Sequence, residues 1–282
     1  MSVRMMKTLL VPTLAMAAVA ATLAGCNRDK DKVAAPAPAP APTVLVTPAS
    51  AGAPFVYSDK TPYANVELKL PEAVRSQPDL HVRLYAESVK DLKAFMEGAQ
   101  GDRTEAGGDQ GMPAYESMIT FDTPVETGKL FSLARSDYEF TGGAHGNTAY
   151  TGVLWDKAMK RPVAAAGLLK PGVALSALDS LLCAAVNAEK RKRDPQAETV
   201  SLNPKGGAMW SCPHAADTPM VLAPGTEPGK AGGLVFLVGP YQVGPYAEGA
   251  YQVPVPQAAI RNLLAPAYAD EFAGTPVMPK SN

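Results

Sequence analysis

From Val33 to Pro42 the chain reads Val-Ala-Ala-Pro-Ala-Pro-Ala-Pro-Ala-Pro, and no other stretch restricts folding as strongly. Every second residue lacks a backbone N–H and has its φ fixed, so neither helix nor sheet can form there. Alternating Pro and Ala favours an extended polyproline-II strut of about 3.1 Å per residue. The tract also has too little apolar side-chain area to offset its ordering entropy. The sequence therefore divides at this point. Together with the mixed-charge patch Asn27–Lys32 and the segment Thr43–Lys60, the tract reads as a tether over residues 26–60.

The residues before the tether say what it is tied to. Arg4 and Lys7 precede an apolar run from Leu9 to Ala24, which is short and alanine-rich for a membrane span and reads as a secretory signal peptide over residues 1–25. The run ends Leu23-Ala24-Gly25-Cys26, small residues before a cysteine, the pattern a lipoprotein signal peptidase needs. Cys26 is then expected to be the lipidated, palmitate-bearing N-terminus of the mature chain, held in the lipid bilayer by more than one acyl chain. Asn27 follows where an aspartate would signal retention at the inner membrane, so the expected location is the periplasmic face of the envelope, at the outer membrane.

About 220 residues remain, enough for one sizeable domain or two small ones. Without Arg4 and Lys7, 24 of the 26 basic residues stand against 27 acidic ones. A net charge of −3 gives no electrostatic case for a nucleic-acid partner. The single basic run, Lys190–Arg193, ends a predicted helix and reads as a solvated terminus that complements the helix dipole. Cys183 and Cys212, the two cysteines other than Cys26, suggest one disulfide in an oxidising compartment.

Apolar spacing predicts a strand over Tyr63–Leu70 and a helix over Leu80–Glu97, with Leu84, Val89, Leu92 and Met96 on one face and Gly98 as its stop. The Gly-Asp-rich segment Gly98–Gly111 reads as a loop. Tyr115–Phe121 and Lys129–Phe140 read as adjacent strands joined through Pro124–Gly128. In the second, Phe131 and Leu133 share one parity and Tyr138 and Phe140 the other, which predicts a bulge near Arg135-Ser136. A returning strand is expected over Ala149–Trp155. A helix follows over Val173–Arg193, striped by Leu175, Leu178, Leu182 and Val186. Strands at Gly232–Val238 and Tyr251–Val255 precede a closing helix at Gln257–Leu264. Clustered rather than alternating elements predict an α+β fold: an antiparallel or mixed sheet with a long packed helix and a C-terminal helix, preceded by a smaller α/β module.

Candidate chemistry centres on Gly142-Gly143-Ala144-His145-Gly146-Asn147. Glycines here permit positive φ and close strand approach, and Asn147 can close the turn. With His145, the loop could also present a binding epitope. The tyrosines of Gly-Pro-Tyr-Gln-Val-Gly-Pro-Tyr, Tyr241 and Tyr246, suit either a recognition surface or a buried corner with backbone-bonded hydroxyls. His81, His145 and His214 are too far apart in sequence for a helical zinc pair. No nucleophile elbow or phosphate-binding loop is present, so no metal, cofactor or catalytic residue is assigned. The alternative is an envelope hydrolase acting on wall components with His145 as general base.

The two signatures YEFTGGAHGNT at 138–148 and VGPYQVGPYAEG at 238–249 resemble the RsiV-like family of exported bacterial domains. In that family an aromatic strand enters a Gly-Gly-Ala-His-Gly loop, and a later apolar strand ends in a tyrosine segment before a terminal strand and helix. Trp155-Asp156 to Leu169 resembles the turn, strand and short helix between them. Residues 61–110 resemble the smaller module that precedes it, also found ahead of peptidoglycan deacetylase domains. The resemblance implies an RsiV-like domain over 111–270, with a flexible tail over 271–282. It also implies binding of a ligand of the lysozyme type, the property of an anti-sigma factor in that family, or of peptidoglycan. Only Met1–Met6 precede the apolar run, too few to grip a sigma factor, and no metal-histidine catalytic domain follows before Asn282. Signalling by that route and deacetylation are therefore not expected. The expectation is a non-enzymatic binding module with His145, Asn147, Tyr241 and Tyr246 as contact residues.

Overall fold

The computed structural model describes residues 52–108 and 111–278. The signal peptide, Cys26 and most of the tether lie outside the described residues. The described residues form one compact unit of mixed α and β structure. Its first sheet has six strands in sequence order: β1 (Val56–Lys60), β2 (Ala64–Lys69), β3 (Tyr115–Glu126), β4 (Leu130–Phe140), β5 (Asn147–Asp156) and β6 (Arg161–Pro162). All neighbours are antiparallel except β2 and β3, which run parallel because helix α1 (Pro78–Glu105) carries the chain back between them. This sheet runs unbroken past residue 110, since Ala64–Lys69 pairs with Tyr115–Thr120. A second antiparallel sheet, β7 (Met220–Pro224), β8 (Ala231–Val238) and β9 (Tyr251–Pro256), packs on the first. Helix α2 (Asp179–Arg193) packs on β9. Two one-turn helices, α3 (Gln257–Ile260) and α4 (Pro266–Ala269), follow.

Alternation along the strands sorts the side chains into cores. Val66 and Leu68 of β2, Ile119 and Phe121 of β3, and Phe131, Leu133 and Trp155 of β4 and β5 face α1, which supplies Leu80, Leu84 and Leu92. On the other face, Ala134 meets Val221, Ala223, Val235 and Leu237 of the second sheet. The far side of that sheet, with Leu222, Leu234, Phe236 and Val253, packs with Leu178, Leu182 and Val186. Every residue of β8 is buried, which explains why Ala231–Val238 is continuously apolar rather than alternating.

Several expectations need correction. Helix α1 runs through Gly98 and Gly101 to Glu105, although each glycine costs about 1 kcal/mol in a helix interior. Ala99 is buried, and Arg103 donates to the carbonyls of Met112 and Pro113, so tertiary contacts hold the extra turns. The chain breaks instead at Gly107 and Gly108, both at positive φ. No bulge occurs at Arg135-Ser136. The phase change in β4 arises because Leu130–Ala134 is covered on both faces, and the irregularity lies opposite, in β3 between Asp122 and Val125. The helix expected from Val173 begins at Asp179 after a 3-10 turn at Leu175–Leu178. The closing helix stops at Ile260, before Leu264 bridges to Leu169. Strand β1 falls inside the stretch assigned to the tether, paired with β2 from Val56↔Lys69 to Lys60↔Asn65. The segment expected as a flexible tail is anchored through residue 278: Phe272 is buried and Val277 donates its N–H to Pro224.

Cys183 of α2 and Cys212 are joined by a disulfide across a Cα–Cα distance of 5.2 Å. Among the described residues no helix is long and apolar enough to cross a membrane.

Candidate functional site

The β4–β5 turn and the loop after β8 meet at one place. Gly142 and Gly143 take φ of 100° and 94° with open space where a Cβ would stand, so their role is conformational. Gly146 differs: a Cβ there would lie 2.5 Å from the Tyr138 ring, so this glycine serves close approach. The loop from Gly239 to Gly249 is braced by Gln242, whose Oε1 accepts from the Gly239 N–H at 2.9 Å. These two turns bring His145, Tyr241 and Tyr246 together across about a hundred residues of sequence.

The contacts are specific. The His145 ring stacks on Tyr246 with centroids 3.7 Å apart and planes 15° apart. Tyr241 leans on both, at 5.4 Å from Tyr246 and 6.3 Å from His145. The Gly146 carbonyl accepts from the Tyr246 hydroxyl at 2.9 Å and from His145 Nδ1 at 2.9 Å. With Nδ1 as donor, Nε2 is left to accept from the Tyr241 hydroxyl at 3.4 Å. Tyr246 is half-buried and its hydroxyl is satisfied by backbone, whereas His145 and Tyr241 are exposed, Tyr241 by 50%. Tyr241 also holds a left-handed φ of 64°, a conformation costing an L-residue about 1–2 kcal/mol. Strained, exposed aromatic residues concentrate at ligand-contact sites. Asn147 stands outside the stack. It pairs with Glu139 at the start of β5 and lines a cleft of about 300 Å³ with Pro240 and Gln242.

Behind this ridge the loop is held by charge. Lys190 Nζ donates to the Val243 carbonyl at 2.7 Å and to Glu248 Oε2 at 2.8 Å, and Glu248 Oε2 accepts from the Tyr251 hydroxyl at 2.6 Å. Burial alone would raise the Glu248 carboxyl. The hydrogen bonds from Lys190 and Tyr251 and the positive charges of Lys190 and Arg193 outweigh it and hold the group below the usual carboxylate range. Tyr251 is pushed up to about 12, by burial first and then by the bond to Glu248. Arg193 lies over the Tyr251 ring at 3.7 Å and donates to the Glu248 and Ala250 carbonyls. The run Lys190–Arg193 is therefore not wholly a solvated helix end, because Lys190 is only 3% exposed. Sequence reading missed this, although Lys190 continues the four-residue stripe Leu178, Leu182 and Val186.

Elsewhere, His214 Nδ1 contacts Asp179 Oδ2 at 2.7 Å at the start of α2, and His81 contacts the Pro54 carbonyl. The three histidines stay apart. Among the described residues no three His, Cys, Asp or Glu side chains are grouped so as to hold a metal ion.

Residues 57–148 match the family model described as Deacetylase PdaC. That match covers about a third of the chain, from β1 to the second residue of β5, and ends just past His145. No curated protein matches the sequence. Among solved structures, a DUF3298 family member from Bacteroides fragilis aligns with TM-score 0.51 and 16% identity, covering 77% of this chain and 96% of its own. A DUF3298 family protein from Pseudomonas aeruginosa aligns with TM-score 0.43 and 16% identity, covering 78% and 94%. The first likeness extends to the fold.

Proposed function

We propose that this chain is a lipid-anchored protein of the periplasmic face of a bacterial envelope, tethered through Cys26 at the outer membrane, and that its folded unit is a non-enzymatic binding module. The ridge His145–Tyr241–Tyr246, flanked by Asn147, is its contact surface, and a lysozyme-type muramidase is its ligand. The observation that carries this reading is the exposed Tyr241, held at a left-handed φ against a stacked His145–Tyr246 pair. Rigid, half-exposed aromatic residues on well-braced loops are what protein interfaces use as anchors. An exposed aromatic cluster suits a protein surface, with the cleft lined by Asn147, Pro240 and Gln242 at its edge. The hydrolase alternative draws less support, because the His145 ring nitrogens are engaged by the Gly146 carbonyl and the Tyr241 hydroxyl rather than oriented by a carboxylate.

The test is retention on the immobilised chain. A lysozyme-type enzyme is expected to be retained, and Tyr241→Ala with His145→Ala is expected to weaken retention by about thirtyfold, the equivalent of one anchor residue of about 2 kcal/mol. Purified sacculi serve as the second arm. Retention of sacculi alone moves the ligand to peptidoglycan, and retention of neither removes the reading.

A further inference from the structure

On the other side of the loop that carries Tyr246 lies a cavity of about 260 Å³, lined among others by Lys190, Val200, Met209, Trp210, Pro245 and Glu248. It is smaller than the roughly 300–1,000 Å³ typical of drug-sized sites and matches a single ring. One end is polar. The Lys190 ammonium has three protons, of which the Val243 carbonyl and Glu248 Oε2 take two. Glu248 Oε2 is shared between Lys190 and Tyr251, while among the described residues Glu248 Oε1 receives no donor. Lys190 thus keeps one N–H and Glu248 one carboxylate oxygen available to a ligand at the same ion pair, where the Lys190 side chain is 4% exposed and that of Glu248 30%.

Apart from Glu198 and Thr199 the remaining walls are apolar, and the stretch from Val200 to Cys212 is pinned to α2 at both ends. Asn187 exchanges two hydrogen bonds with the backbone of Val200, both of 2.9 Å, and Cys212 donates its N–H to the Ser201 carbonyl at 2.8 Å. The disulfide ties Cys212, two residues beyond Trp210, to α2. The wall around Val200 and Trp210 is thus held before any ligand enters, which lowers the cost of binding.

We propose that this cavity is a saccharide pocket taking one neutral sugar ring, with a ring hydroxyl between Lys190 Nζ and Glu248 Oε1 and the apolar face of the ring against Trp210. A hydroxyl donates and accepts at once, which is what the Lys190–Glu248 end requires. The charges of Lys190 and Glu248 cancel, and Glu198, which also lines the cavity, adds a negative charge that disfavours an anionic ligand. The site shares no contact residue with the aromatic ridge, and this inference does not rest on the muramidase reading.

The oxidised chain is titrated with glucose, N-acetylglucosamine and glucuronate, read by saturation-transfer NMR and by tryptophan emission. Trp155, the only other tryptophan, is 4% exposed in the core beneath α1 and serves as a silent background. At least one neutral sugar is expected to bind saturably, with a Kd of about 1–10 mM, and glucuronate about tenfold more weakly than glucose or not at all. Trp210→Ala, or Trp210→Phe should the first variant lose its circular-dichroism signature, is expected to weaken the neutral sugar; Glu248→Gln, which keeps the volume and replaces the carboxylate, is expected to weaken it as well. The proposal is overturned by no saturable response to either neutral sugar, by glucuronate binding as tightly as glucose, or by a response that the folded Trp210 and Glu248 variants both leave intact.

Discussion

Tyr241 combines a chemical asset with a conformational cost. Its φ of 64° is one that glycine adopts freely, and its side chain makes no contact that the loop needs for closure, which Gln242 and Lys190 provide. Tyr241→Gly is therefore expected to leave stability unchanged or raise it by up to about 1 kcal/mol in urea denaturation, while abolishing the contact at the ridge. Loss of stability beyond about 1 kcal/mol would show that the tyrosine is a structural corner. Gly152 is the opposite case. A Cβ there would lie 2.0 Å from the Met220 carbonyl oxygen, so the sheets approach backbone to backbone. Gly152→Ala is expected to destabilise the fold by about 3 kcal/mol or more, because the obstacle is main chain and cannot rotate away. The Gly142–Gly146 motif could be recognised in sequence, but its partner Tyr246 could not be paired with it by spacing alone, since the contact spans a hundred residues. Lys190 was hidden by its charge: extending the apolar stripe by one more step of four would have found it.

Elements show the same division between what periodicity reveals and what packing decides. Strand β2 alternates and was legible, as was α2 from Leu178, Leu182 and Val186 onward. Strand β7 was missed because its residues Met220–Ala223 are all buried and carry no period, and β1 because it is a mostly exposed edge with one partner. At the start of α2, Asp179 accepts from the Ala215 N–H and from His214, whose pKa is raised above 6.5 by that hydrogen bond and by the charges of Asp179 and Asp217. A raised histidine contributes stability that is complete below the unfolded value and fades as pH rises through the folded one. The wild-type chain is therefore expected to lose a small increment of stability above about pH 6.5 that His214→Ala lacks, as read from denaturation midpoints at pH 5.5 and 8.5. Identical pH slopes for the two chains would exclude the pair. The disulfide spans 29 residues of sequence and is expected to contribute about 3.5 kcal/mol by the loop-closure relation, measured as the drop in stability on Cys183→Ser with Cys212→Ser.

In the whole molecule, β4 and β5 belong to both halves. Phe131, Leu133 and Trp155 complete the core under α1, while Leu130, Ala134 and Leu154 join cores built mostly from residues that come later in the chain. A single unfolding transition, with calorimetric and van't Hoff enthalpies in agreement, is expected despite the two sheets; two separated transitions would mean that each half folds by itself. Gly152 meets Met220 backbone to backbone, so that face of the first sheet has no cover until β7 is in place. A chain cut short before Met220 would keep the face open to water, and strands left bare in that way invite clumping.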